Sequence, residues 1–230
     1  MQISFILVEP QRAVNVGACA RALKTMGFND LRIVNSQQYL ADEAQWVAHG
    51  ATDILQSAQH FVSLESALKD IDLAIGTSTK QRAGKRYAYS PKALYESLSE
   101  KSQLLSRVAI VFGREDHGLA NEMLNLCDVL STVPLAVSYP SLNLGQAVML
   151  YAYELGPLSQ PDQANSFSDD VAEGQWRALH EKVIFLLDQL NIPCSAKEYQ
   201  WVRERLPVCS RKDINFLHTL VTDVIRKINQ

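Results

Sequence analysis

Three polar clusters in this 230-residue chain hold the residue types that could do chemistry. Asn15-Val16-Gly17-Ala18-Cys19-Ala20-Arg21 places an amide and a guanidinium nearly two helical turns apart. In Phe112-Gly113-Arg114-Glu115-Asp116-His117-Gly118-Leu119 an apolar run ends in a glycine followed at once by four polar or charged residues. Tyr139-Pro140-Ser141-Leu142-Asn143-Leu144-Gly145 runs into an apolar helical stretch. Each falls at the end of an apolar, strand-like run, where open α/β sheets bind ligands. Taken singly each has a plain structural reading. Asn15 can be a helix cap, Arg21 a solvated charge, Glu115 the partner of Arg114 in a surface ion pair, and Ser141 and Asn143 turn and cap residues. The chemistry they do not offer is equally informative. No GxGxxG follows a strand, no GxxxxGK[ST] is present, and GxSxG and HExxH are missing, so dinucleotide, P-loop, serine-hydrolase and zinc-protease readings lose support.

Charge gives a second signal. With 22 Lys and Arg against 25 Asp and Glu, the net charge of −3 argues on average against a nucleic-acid partner. The local distribution argues the other way. Lys80, Arg82, Lys85 and Arg86 fall within seven residues that contain no acid, and Tyr87 and Tyr89 follow as candidates for stacking on an unpaired base. Arg12, Arg21, Lys24 and Arg114 lie near the other clusters, so the basic run and Arg12 form a candidate nucleic-acid contact. The four cysteines (Cys19, Cys127, Cys194 and Cys209) form no CxxC pair, and the five histidines show no triad or ligand spacing, so no metal and no disulfide framework is expected. Trp46, Trp176 and Trp201 read as core or interface aromatics. The start, MQISFILVEP, has neither the basic region nor the cleavage pattern of a signal peptide, and no apolar run reaches the ~20 residues of a bilayer span. The expectation is a cytoplasmic protein with reduced thiols.

Positioning these clusters requires alternating strands and helices, the pattern of a parallel sheet covered on both faces. Strands are predicted at Ile3–Val8, Leu31–Val34, Leu73–Gly76, Val108–Phe112 and Val129–Val133. Helices are predicted at Val16–Met26 with Asn15 as N-cap and Gly27 as terminator, at Leu64–Ile71 after Ser63, at Lys92–Leu98 after Ser90-Pro91, and at Leu144–Leu155. Composition shifts at Gly156-Pro157. Residues 1–158 are expected to form the main domain, 159–170 a polar linker, and 171–230 a helical extension. In that extension Trp176 to Leu190 and Ile214 to Ile228 repeat apolar residues three and four apart, and Ser195-Ala196-Lys197-Glu198 is a capping box for a helix between them.

The three clusters, in this order, resemble the motifs of the SPOUT superfamily of methyltransferases. The matches are N-x-G-x-x-x-R at Asn15, Gly17 and Arg21, F-G-R-E-x-x-G-L from Phe112 to Leu119, and S-L-N-L from Ser141 to Leu144. Within it the chain looks most like the TrmJ branch of the TrmH-type ribose 2′-O-methyltransferases and its LasT-like relatives, with Arg21-Ala22-Leu23-Lys24-Thr25-Met26-Gly27 and Gly76-Thr77-Ser78 as supporting matches. The resemblance covers about residues 1–158. It implies an α/β domain closed by a deep trefoil knot, a homodimer with sites near the subunit interface, and S-adenosylmethionine as methyl donor. The donor would be held by Thr77, Ser78, Thr79, Gly113, Val133, Pro140, Ser141 and Leu142. Arg21 would take the central catalytic role, with Asn15, Glu115, Ser141 and Asn143 completing the site. The family's Arg is described as the base that deprotonates the ribose hydroxyl. A guanidinium is a poor base near neutrality, so binding the neighbouring phosphate and stabilising developing alkoxide is at least as plausible a task. The implied activity is tRNA cytidine/uridine 2′-O-methylation in the anticodon loop. Two competing readings are a non-catalytic RNA-binding or regulatory protein on the same scaffold, which the complete residue set disfavours, and a flavodoxin-like nucleotide binder, which the missing phosphate loop disfavours.

Overall fold

The computed structural model describes residues 1–78, 88–102, 104–137, 141–159, 175–199, 202, 206 and 211–228. Its centre is a parallel sheet of β1 (Gln2–Val8), β2 (Asp30–Val34), β3 (Gln59–Phe61), β4 (Leu73–Thr77), β5 (Ala88–Tyr89), β6 (Arg107–Phe112) and β7 (Val129–Ser131), in the order β3-β2-β1-β6-β4-β7-β5. Successive residues of a strand point to opposite faces, and the apolar residues sort accordingly. Ile3, Phe5 and Leu7 enter one core with Leu31, Ile33, Ile75, Val108, Ile110 and Phe112, while Ile6 and Val8 enter a second with Val34, Ala74, Ala109 and Val111. The first core is covered by α1 (Ala13–Thr25), α2 (Asp42–Val47), α3 (Thr52–Gln56), α5 (Pro91–Glu100) and α7 (Leu144–Leu155), the second by α4 (Leu64–Ala67) and α6 (Asn121–Asn125). In the first core Phe112 stacks on Phe5 at 6.1 Å and meets Tyr151 edge-on at 5.4 Å.

All five expected strands form, with β7 ending two residues early at Ser131. The polar β3 and two-residue β5 were not expected; both lie on sheet edges and depend on pairing with β2 and β7. Helix α4 stops at Ala67, four residues short of the predicted end, after a reciprocal Ser63–Ser66 cap. Helix α1 begins three residues earlier than predicted. Its N-cap is Arg12, so Asn15 is not a cap but a buried residue of the first turn. Its far end matches expectation: Gly27 takes φ +83°, and the Gly27 and Phe28 amides donate to the carbonyls of Lys24 and Leu23, a Schellman-type stop.

Close approach fixes α1 against its neighbours. A Cβ on Gly17 would lie 2.2 Å from the Ala44 carbonyl oxygen of α2, and one on Gly145 would lie 2.9 Å from the Ala18 Cβ. Glycine therefore lets α1 sit tightly between α2 and α7, which sets the relative placement of the first and third clusters. In the C-terminal part, α8 (Gln175–Gln189) packs on α9 (Arg211–Ile228), and Leu179, Val183, Leu187, Ile214 and Val221 join the first core. Residues 197–199 are helical where the capping box predicts a helix; most of that segment lies outside the described residues. No helix among the described residues is long and apolar enough to cross a membrane.

Candidate active site

The sheet order reverses at β1, which has β2 on one side and β6 on the other, and such switch points open a crevice at the carboxyl ends of the strands. A cavity of about 290 Å³ lies at these ends. The ends of β4 and β6 line it with Thr77, Ser78, Phe112 and Gly113, and Glu115 follows on the loop after β6. Val133 comes from the segment after β7, and Ser141 and Leu142 from the approach to α7. Six of the eight positions expected to hold the methyl donor are therefore brought together. Thr79 and Pro140 lie outside the described residues, as do Lys80, Arg82, Lys85 and Arg86. The cavity also takes Leu144 of the third cluster and, from α7, Ala147 and Tyr151, which were not singled out; their three- and four-residue spacing from Leu144 was the available signal.

Each wall is held by specific bonds. The Thr77 hydroxyl donates to the Val111 carbonyl at 2.9 Å, and the Ser78 amide donates to the Ser131 carbonyl at 2.9 Å. The Tyr151 hydroxyl donates to Ser131 Oγ at 2.8 Å, which donates to the Tyr89 carbonyl at 2.8 Å. Burial pushes the Tyr151 phenol up to about 12, against the opposing effect of the Ser131 bond, so it stays a neutral donor. Gly113 is required for a reason internal to the protein: a Cβ there would lie 2.2 Å from the Gly118 carbonyl carbon and the Leu119 nitrogen. Its loop folds back on itself through an Arg114–Gly118 bridge. The need for glycine thus comes from the loop's own turn, not only from close approach to a ligand.

Three side chains join the three clusters. Asn143 Nδ2 donates to Asn15 Oδ1 at 2.9 Å, and Asn15 Nδ2 donates to Glu115 Oε1 at 2.8 Å. The Gln11 and Arg12 amides add bonds to the same carboxylate at 2.8 and 3.2 Å. Burial works against the charge on Glu115, but the Asn15 amide and these backbone donors outweigh it and lower its pKa. A carboxylate so occupied is suited to positioning rather than to taking a proton. Asn143 also caps α7, its Oδ1 accepting from the Gly145 amide at 2.8 Å while its backbone N–H donates to Gln146 Oε1 at 3.0 Å.

Arg21 stands apart. It is exposed, makes no side-chain bond among the described residues, and does not line the cavity. Six residues at 3.6 per turn put it about a third of a turn around α1 from Asn15. The side chains of Asn15, Asn143 and Arg12 are likewise outside the cavity wall, the first two reaching it through Glu115. Among the described residues no group of His, Cys, Asp and Glu is placed to hold a metal.

The sequence matches the SpoU rRNA Methylase family over residues 2–153, so the family covers all three clusters and the sheet that carries them. The chain belongs to the SpoU methylase family. Residues 173–228 match the C-terminal domain of the tRNA/rRNA methyltransferase LasT. Among SpoU relatives, an uncharacterized tRNA/rRNA methyltransferase LasT of Escherichia coli K12 is 45% identical, covering 100% of both chains. The tRNA (cytidine-2′-O-)-methyltransferase TrmJ of Methanocaldococcus jannaschii is 38% identical, covering 67% of each chain. Of solved structures, TrmJ from Z. mobilis ZM4 superposes with a TM-score of 0.65 at 26% identity, covering 97% of this chain and 99% of that one. The SpoU methyltransferase AviRb from Streptomyces viridochromogenes, in complex with AdoMet, shares the fold at 16% identity with a TM-score of 0.53, covering 68% and 60%. The SPOUT resemblance and the methyltransferase class both hold, and a flavodoxin-like nucleotide binder is displaced.

Proposed function

We propose that this chain transfers a methyl group from S-adenosylmethionine to a ribose 2′-hydroxyl of tRNA, in the anticodon loop. The observation that carries the reading is the Asn143–Asn15–Glu115 chain, which ties three sequence-distant motifs together beside one cavity. The cavity suits the donor: Val133, Leu142, Leu144 and Ala147 offer apolar walls for an adenine, and the loops at Ser78, Gly113 and Ser141 bring backbone groups for its polar edge. When bound, S-adenosylmethionine supplies an electrophilic methyl on a sulfonium. The TrmJ relatives act on tRNA cytidine and uridine riboses, and this is the source of the substrate assignment. Thr79 and Pro140 complete the donor site, and Lys80, Arg82, Lys85, Arg86 and Arg12 the RNA contact.

The protein's task in this reaction is alignment, which can be worth ~7–11 kcal/mol, together with stabilisation of an oxygen that loses its proton. Glu115 and Asn143 hold Asn15, and with it the first turn of α1. Ser141 lies at the cavity edge as a hydroxyl donor. Arg21 binds the adjoining phosphate and stabilises developing alkoxide. Because Arg21 lies off its own cavity, the reading includes a homodimer in which Arg21 of one protomer completes the site of its partner, and the family's trefoil knot. Support for the dimer comes from α1 and α7, which pack side by side and leave Val14 49%, Leu150 37% and Tyr153 64% exposed. The reading places the enzyme in the cytoplasm with its RNA, built as a domain of residues 1–158, a linker 159–170 and a helical extension 171–230.

The test is incubation with methyl-labelled S-adenosylmethionine and total tRNA, followed by nucleoside analysis. Label in a 2′-O-methylated nucleoside of the anticodon loop is expected. Label on a base would contradict the reading, and binding of tRNA without any label would favour a non-catalytic scaffold.

A further inference from the structure

Two residues with unusual backbone sit directly beside this site, outside all three motifs. Glu9 follows the last residue of β1 at φ 49°, and Asn35 follows the last residue of β2 at φ 51°. A left-handed backbone is unfavourable for a side chain such as Glu and persists where its surroundings enforce it. Here each residue first extends the ladder, Glu9 N donating to the Val34 carbonyl and Asn35 N to the Phe61 carbonyl, both at 2.9 Å. The turns then bring the side chains together: Asn35 Nδ2 donates to Glu9 Oε1 at 3.0 Å. The other oxygen of Glu9 faces Arg114 at 3.5 Å, and Arg114 is held by Asp116 through bonds of 3.0 and 2.9 Å. The backbone repeats the connection. Gln11 Nε2 donates to the Glu9 carbonyl at 2.9 Å, and Ser36 Oγ donates to the Pro10 carbonyl at 2.9 Å.

This brace has one evident beneficiary. Residues 9–12 present the Gln11 and Arg12 amides to Glu115, and Arg114 is the residue next to Glu115. We infer that Glu9 is a positioning residue for methyl transfer: with Asn35 it fixes the turn after β1 and the loop after β6 relative to each other, so that Glu115 meets Asn15 in register. The inference deepens the proposed function and rests on it only for the reaction that is positioned.

A strained residue kept for position rather than stability gives a distinctive signature. Glycine accepts a φ near 50° without steric cost, so Glu9→Gly relieves strain while removing the brace. The expected result is a melting temperature equal to or above that of the unaltered protein, a kcat lower by about tenfold, and little change in KM for S-adenosylmethionine. Glu9→Gln, which keeps an acceptor for Asn35 but loses the charge facing Arg114, should recover part of that kcat. Hydrogen exchange at the Gln11 and Arg12 amides provides a readout independent of turnover, and it should accelerate in Glu9→Gly without change in the β1 interior. Unaltered kcat together with unaltered exchange at these amides, or a kcat that merely follows stability, would overturn the inference. If the unaltered protein transferred no methyl group, the proposed function would fall. The exchange measurement would still decide the brace: acceleration would support it, and no change would overturn it.

Discussion

At the N-terminal ends of the strands, Arg32 is buried at 2% exposure and pairs with Asp70 at 2.6 Å and Asp30 at 3.5 Å, its guanidinium lying 5.6 Å from the centre of the Phe61 ring. Asp70 also takes Arg107, and Asp30 takes the Ser4 hydroxyl and the Gln2 amide. At the C-terminal ends, Asn15 bonds Glu115 and Asn143 across a hundred or more residues of sequence, but beside a cavity. Both ends bury polar groups that would be costly alone. The first network pairs opposite charges and ties neighbouring strands, with Arg32 Nε a buried donor lacking a partner among the described residues. The second ends at open space, where a ligand can complete it. Charge density alone would not tell them apart; what distinguishes the second end is a side-chain frame anchored at the wall of a cavity.

The largest effect should come from the Arg32 network. Arg32→Ala would leave Asp30 buried beside no cation, and a loss of about 3–5 kcal/mol in urea unfolding is expected, with kcat of the folded fraction unchanged. A variant that lost turnover instead would break the comparison. Arg21→Ala should behave oppositely. Stability should move by no more than about 0.5 kcal/mol, turnover should fall at least about a hundredfold, and calorimetry should find S-adenosylmethionine affinity retained. Retained activity would remove Arg21 from the mechanism.

Acid should loosen both ends, and the sign follows from the carboxylates. The bond to Arg32 holds Asp70 down at about 2 against its ordinary 3.8, so its contribution is complete above 3.8 and is lost as the pH falls through about 2. Glu115 is also held below its ordinary 4.5, so the frame around Asn15 is likewise stabilised above that value and weakened beneath it. In melting curves between pH 5 and pH 2, Asp70→Asn should flatten the acid dependence relative to the unaltered protein. An equally steep loss would show that Asp70 is not the group responsible.

The two ends also differ in how far the sequence revealed them. The hydrophobic strands were legible because apolar runs bounded by turns report burial directly, and α7 was found with its true limits because Asn143 is a local cap. β3 and β5 were not, since three polar and two mixed residues become strands only through pairing. The family resemblance pointed to Thr77, Ser78, Gly113, Val133, Ser141 and Leu142, and these residues line one cavity. The helix-cap reading of Asn15 failed, because local surroundings that suit a cap do not reveal partners a hundred and more residues away. Glu9 and Asn35 carry no pattern at all; their roles depend on backbone angles that no spacing encodes.

The central claim is that Asn143, Asn15 and Glu115 act as one frame. It is tested most directly by a double-mutant cycle on kcat using Asn15→Ala, Asn143→Ala and the pair together. The account predicts that the double variant loses little more than either single one, a coupling of about 0.5–3 kcal/mol. Losses that simply add would contradict it.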